Sequence, residues 1–144
     1  MYQEYPPCQL LAPYIDKYWE FKGETEYDMR YKILPDGCTD FIFSIEEPSQ
    51  PLNGEMLMQP YRFYFVGPMR VYSELVTRST RLHMMGVRFS PCGLAAFARM
   101  PLGEFTDTRV NASELNVLFD DHFAEMLCEK ESLQERIHII DRHL

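Results

Sequence analysis

Apolar and polar positions follow two rhythms along the 144-residue chain, and the change falls near Pro91. Up to that point the spacing is close to two. PYIDKYWEF puts Ile15, Trp19 and Phe21 on one parity, with Lys17 among them, and predicts a strand from about Ile15 to Lys22. GETEYD is a polar turn. RYKIL and CTDFIFSI are two apolar runs around Pro35, Asp36 and Gly37. Those three residue types set the φ values of a tight turn, so the pair predicts a hairpin. In its second arm Phe41, Phe43 and Ile45 face one way and Ile42 the other, so both faces carry apolar groups. EEPSQPLNGEMLMQP, with three Pro and one Gly, predicts a loop with room for a short strand at Met56–Met58. Strands resume over Tyr61–Met69, through VYSELVTRST, and over Leu82–Pro91.

From Pro91 onward the spacing turns helical. PCGLAAFARM has Pro at a helix start with Leu94, Phe97 and Ala98 behind it. NASELNVLF offers Asn111 or Ser113 as a cap, and DDHFAEMLCEK has Asp120 or Asp121 near its start and Lys130 near its end. ESLQERIHIIDRHL closes the chain with a stripe of Leu133, Ile137, Ile140 and Leu144. Strands first and helices after predict an α+β domain over residues 1–144. A barrel or sandwich of about seven to eight strands occupies residues 1 to about 91, and three to four helices fill the remainder.

The closing stripe has the 4-3-4 spacing of an a/d seam. Two readings are open: a helix packed on its own sheet, or a helix through which two copies form a homodimer. The pattern is still apolar and periodic where the sequence stops, with no Gly cap and no breaker. The expectation is therefore a chain cut from a longer one.

Composition narrows the partners. Ten Phe and nine Tyr suit strands and pocket walls. The formal charge is −8, most of the acidic excess lies in the helical third, and no cluster of Lys and Arg offers phosphate contacts, so this segment is not expected to touch DNA itself. The acidic helices leave open a third role, as a module that docks a basic protein. The start, MYQEYPPCQLLAPY, lacks a basic n-region and a long apolar core. No stretch approaches the roughly 20 apolar residues of a membrane helix, and a cytoplasmic chain with reduced thiols is expected.

No catalytic signature emerges. Cys8, Cys38, Cys92 and Cys128 form no CxxC pair, and of His83, His122, His138 and His143 only His83 falls among the strands. A His-built metal site is not expected, nor any cofactor. Cys38 as a nucleophile would need His83 beside it. The chain has no GxSxG, P-loop or GxGxxG.

The remaining candidates are binding groups. Trp19, Tyr31, Phe41, Phe43 and Phe65 supply walls for a small apolar effector or simply fill a core. Asp36 and Asp40 are polar anchors at the mouth of the barrel or plain turn and strand residues. Arg88 sits between Val87 and Phe89 in an apolar strand. If Met85, Val87 and Phe89 point one way, Arg88 shares the other face with Met84 and Gly86. Its guanidinium then either pairs with a surface acid or turns inward to an anionic ligand or an acid such as Asp40.

Four segments, ILPDGCTDFIF, FVGP at Phe65–Pro68, MGVRFSPCGLAAF at Met85–Phe97 and EFTDTRV at Glu104–Val110, occur in an order and at spacings that resemble the amino-terminal half of one subgroup of AraC-type bacterial transcription regulators. Cys92 stands where that subgroup carries the first of two glycines. The resemblance extends from PYIDKYW to RHL. It implies a cupin-like barrel followed by helices, a role in sensing a ligand or pairing protomers, and a separate carboxy-terminal helix-turn-helix half that reads DNA. It transfers no ligand-binding residue. A free-standing cupin-like binding protein or enzyme is the competing expectation.

Overall fold

The computed structural model describes residues 2–33, 38–45, 52–53, 56–91, 93–98, 102–115 and 118–144. The predicted turn at Pro35, Asp36 and Gly37, and Cys92 with it, lie outside them. Among the described residues ten strands form two sheets. The larger runs β1(Tyr2–Tyr5), β2(Ile15–Glu24), β9(Arg81–Phe89), β4(Thr39–Ser44), β7(Phe63–Val66) and β10(Arg109–Asn111), in that order across the sheet. The smaller runs β3(Arg30–Ile33), β8(Ser73–Val76), β5(Leu52–Asn53) and β6(Met56–Leu57). Every strand pair is antiparallel. Eight of the strands are longer than two residues, and the two sheets make an open sandwich rather than a closed barrel.

The two faces of the large sheet bury different partners. Tyr18, Phe41, Phe43, Phe63, Phe65, Met85, Val87 and Phe89 pack with the helices into one core. Trp19, Ile42, Tyr64, Val66, Leu82 and Met84 face the small sheet and pack with Leu75 and Met58 into a second. Alternation along β4 and β9 therefore divides each strand between two cores, which is why both parities are apolar. The imperfect period in PYIDKYWEF has a local cause. The register shifts between Ile15 and Lys17, so Ile15 joins the helical core while Trp19, two positions beyond Lys17, faces the small sheet.

The helical part is smaller than expected. PCGLAAF folds only a 3-10 turn, Gly93–Ala96, and NASEL gives one turn, α1(Ala112–Leu115). Two longer helices follow, α2(Asp121–Cys128) and α3(Leu133–His143). Asp120 caps α2 by accepting from Phe123 N at 2.8 Å. Ser132 caps α3 by accepting from Glu135 N at 3.2 Å, and its hydroxyl donates to Glu135 Oε1 at 3.2 Å. Arg136, 5% exposed, donates from Nε to Leu127 O at 3.1 Å and closes the free carbonyl end of α2. Among the described residues no helix is long and apolar enough to cross a membrane.

The closing stripe belongs to this fold. Ile137 is 8% exposed and Ile140 0%, and Leu133 and Leu144 pack beside them on the helical core. The Tyr18 hydroxyl donates to Asp141 Oδ1 at 2.6 Å and ties α3 to β2. Ile137 and Ile140 are thus core residues of this chain, with Leu133 and Leu144 half-buried beside them, and of the two readings of the stripe this packing supports a helix seated on its own sheet.

Candidate functional site

Between the sheets lies a cavity of about 520 Å3. Its wall from the large sheet is laid out in cross-strand rows, because antiparallel register places partner residues side by side on one face. One row is charged: Arg88 on β9 faces Asp40 on β4, Asp40 faces Val66 on β7, and Val66 faces Arg109 on β10. Lys17 flanks Arg88 from β2. Two residues along, the next row is Trp19, Gly86 and Ile42. Two further, Phe21 pairs with Met84. All but Lys17 and Gly86 line the cavity, and Tyr31, Lys32, Ile33 and Leu75 close it from the small sheet. Strand geometry spaces these rows by about 6.6 Å, so the charged row and the Phe21–Met84 row are about 13 Å apart.

The charged row is held by a two-point contact. Arg88 Nε donates to Asp40 Oδ1 at 3.1 Å and Nη2 to Oδ2 at 3.4 Å. Both side chains are mostly buried. Of the two readings open for Arg88, the geometry takes the inward one. At the far end Arg109 is placed by a turn that precedes β10. Asp107, at φ 57°, accepts from Arg70 N at 2.8 Å and from Val71 N at 3.4 Å, fixing this turn to the chain after β7. Arg109 Nη2 lies 3.3 Å from Met69 Sδ, and burial pushes its guanidinium below the ordinary arginine value.

The rims are aromatic. Tyr2 stacks on Trp19 at 6.1 Å between ring centroids, and its hydroxyl donates to Glu4 Oε2 at 2.9 Å. Burial, followed by that hydrogen bond, pushes the Tyr2 phenol up to about 12. Glu4 also takes Lys17 Nζ at 2.9 Å. On the opposite wall Tyr31 meets Phe21 edge-on at 5.8 Å, and Lys32 Nζ sits 4.2 Å over the Tyr72 ring. Trp19 is 8% exposed, and its buried Nε1–H finds no acceptor among the described residues. Such a donor is expensive unless something accepts from it.

The sequence candidates sort by face. Trp19, Tyr31, Asp40 and Arg88 come together on the cavity wall. Phe41, Phe43 and Phe65 do not: they point to the other side of the large sheet, where Phe41 contacts Phe65, Phe89 and Phe119 and Phe43 contacts Phe63. Their assignment to the pocket is corrected on parity alone. Asp36 lies outside the described residues. Arg109, Lys32 and Tyr2 are cavity residues that sequence reasoning did not single out. Arg109 follows an irregular stretch on a strand of three residues, and Tyr2 opens a strand whose apolar groups are sparse. His83 is engaged by Glu20 at 2.7 Å. The β4–β9 register sets Cys38 and His83 at opposite ends of the ladder, roughly 20 Å apart, so they cannot act as a pair.

A family model described as a domain of unknown function, DUF6597, matches residues 3–111. That span holds all the described residues of the cavity lining except Tyr2. No curated protein and no solved structure matches the chain.

Proposed function

The chain belongs to the DUF6597 family, an uncharacterised domain, and from that premise we propose that it is a ligand-sensing module whose effector sits between the two sheets. The cavity carries this reading. Its volume of about 520 Å3 and its apolar walls with a few converging polar groups are what a small-molecule site requires. The ionisable groups among its described lining are Tyr2, Tyr31, Lys32, Asp40, Arg88 and Arg109, with no Cys, His or Ser among them. That set suits binding rather than catalysis. A cupin-like architecture is the finer fold we propose for this open sandwich of antiparallel sheets.

We place this module in a transcription regulator of the AraC type. Support comes from the four segments that resemble that subgroup, whose DNA-reading half would follow this one in the chain. The −8 charge agrees with a segment that leaves DNA contact to another domain.

Two measurements test the two parts. A small-molecule screen by thermal shift should yield a compound that raises the midpoint, and Ile42→Trp, which fills the cavity, should abolish its effect. A hit that survives Ile42→Trp removes the cavity from the reading. Sequencing the source gene past codon 144 tests the regulator. Two helix-turn-helix patterns with a basic balance support it. A stop codon directly after Leu144 overturns it and leaves a free-standing binding protein.

A further inference from the structure

The polar side chains of the cavity wall are occupied within the chain. Arg88 holds both oxygens of Asp40. Arg109 Nη2 lies against Met69 Sδ. Asp40, Arg88 and Arg109 each have a further partner besides. Lys32 Nζ sits over the Tyr72 ring. The Tyr2 hydroxyl donates to Glu4, and the Tyr31 hydroxyl lies 3.5 Å from Thr25 Oγ1. These six are the ionisable groups of the described lining. A charged ligand entering here gives up its hydration and meets groups that are already engaged. Burying an ion under those conditions is costly.

The surface left to an occupant is hydrocarbon. Trp19 turns its nitrogen onto the strand beside it: the ring atoms nearest a Cβ at Gly86 are Cε2, Nε1 and Cζ2, and Nε1 is buried. The indole therefore offers carbon to the cavity that it lines. Phe21, Ile42 and Met84 continue that wall on the large sheet, and Ile33 and Leu75 face it from the small one. Apolar contact is non-directional and grows with the area buried. Such a wall selects by size and by lack of charge, not by a pattern of hydrogen bonds. We propose that the cavity takes an uncharged, largely hydrocarbon molecule, held between the Trp19–Ile42 and Phe21–Met84 rows of the large sheet and the Ile33 and Leu75 side chains of the small one. This deepens the ligand-sensing reading and rests on it.

Trp19 is the single tryptophan of the chain and lines the cavity, so its emission reports occupancy. It is titrated with 1-octanol, octanoate and octylammonium, which share one hydrocarbon body and differ in charge. Octanol is expected to saturate, and both ions to bind at least about tenfold more weakly. 1-Hexanol, two methylenes shorter, is expected to bind about tenfold more weakly than octanol, since each buried methylene is worth about three- to fourfold. Ile42→Trp, shown by circular dichroism to be folded, is expected to abolish the octanol response. Where Ile42→Trp does not fold, Leu75→Phe fills the same space from the opposite sheet. Either ion binding as tightly as octanol, or hexanol binding as tightly as octanol, overturns the inference and leaves the cavity as a ligand site. An octanol response that survives in the folded, filled variant overturns it too, because the binding then lies elsewhere. Silence of the emission toward all the probes also overturns it. The sensing reading is then decided by the compound screen: a charged compound whose effect Ile42→Trp abolishes sustains sensing without this inference.

Discussion

The Trp19 indole occupies the space that a side chain at position 86 would need: a Cβ built on Gly86 comes 2.2 Å from Trp19 Cε2 and 2.3 Å from Nε1. The two residues are cross-strand partners on β2 and β9. Glycine is there for the close approach of an aromatic wall, not for a turn. Gly86→Ala must therefore push Trp19 toward the cavity. The expected outcome is a stability loss of about 1–3 kcal/mol, with a shifted Trp19 emission and weaker ligand binding. Urea unfolding followed by fluorescence measures the first two together. An unchanged emission maximum would mean that the ring is not where the β2–β9 register puts it.

The Arg88–Asp40 contact invites a double-mutant cycle. Removing either partner leaves a mostly buried charge short of its counterpart, so Asp40→Ala and Arg88→Ala should each destabilise. Removing both should cost less than the sum of the single losses, with a coupling of about 1–3 kcal/mol. Additive losses would reduce the two-point contact to a surface feature. The cycle is read from denaturant midpoints at constant slope.

How far this site was legible in the sequence depends on which kind of order is asked about. Parity in MGVRF already separates Arg88 from Val87 and Phe89, and alternation in β4 separates Ile42 from Phe41 and Phe43. What parity does not say is which of two apolar faces meets helices and which meets a second sheet. Phe41, Phe43 and Phe65 were assigned to the pocket for that reason, since size and aromaticity are the same on either side. Rows across strands were further out of reach. Arg88, Asp40 and Arg109 are far apart in the chain and meet only through pairing register, which single-sequence reasoning does not supply. The helix at PCGLAAF failed for a local reason: Gly93 N bonds back to Ser90 O, and a Cβ at Gly93 would lie 2.1 Å from Tyr14 O, so that turn is wedged against the start of β2. The start of α2 was more readable, because a cap is short-range chemistry: of Asp120 and Asp121, Asp120 is the residue that caps.

Adjacent residues on β4 offer a sharp test of the two faces. Phe43→Leu trims the helical core and should lower stability by about 1–2 kcal/mol without changing the affinity of the folded protein for a cavity ligand. Ile42→Ala enlarges the cavity and should change that affinity several-fold. Isothermal titration of both variants against one ligand distinguishes them. A loss of affinity in Phe43→Leu alone would restore the aromatic face as the site.

Alkaline conditions should unfold this protein before acid chemistry explains much. Burial pushes the Cys128 thiol up from 9.0 to about 11, and burial with the Asp141 hydrogen bond pushes the Tyr18 phenol well above its ordinary value. In both, the fold favours the protonated form. The unfolded chain releases these protons first, so the stabilisation is complete below about pH 9 and is lost as pH rises through about 11. Urea midpoints measured across that window should fall, and Cys128→Ala should flatten the fall. A midpoint independent of pH there would place both groups in solvent.

The last prediction concerns α3. Its inner face, Ile137 and Ile140, is buried on the helical core, and its outer face carries Gln134, Glu135, His138 and Arg142, all exposed. A charge at position 140 therefore enters the core of its own chain. Ile140→Asp should destabilise by more than about 3 kcal/mol, because an aspartate there has neither water nor partner. The signature is a lowered thermal midpoint at every protein concentration. A pairing helix behaves differently: its disruption halves the sedimenting mass while each protomer keeps its fold and midpoint. His138→Glu on the outer face is the control and should change neither mass nor midpoint, since that side chain is exposed and opposite the core. If Ile140→Asp yields a folded monomer from a dimer, the stripe serves two copies rather than one, and the packing of α3 on β2 through Tyr18 and Asp141 is not its main anchor.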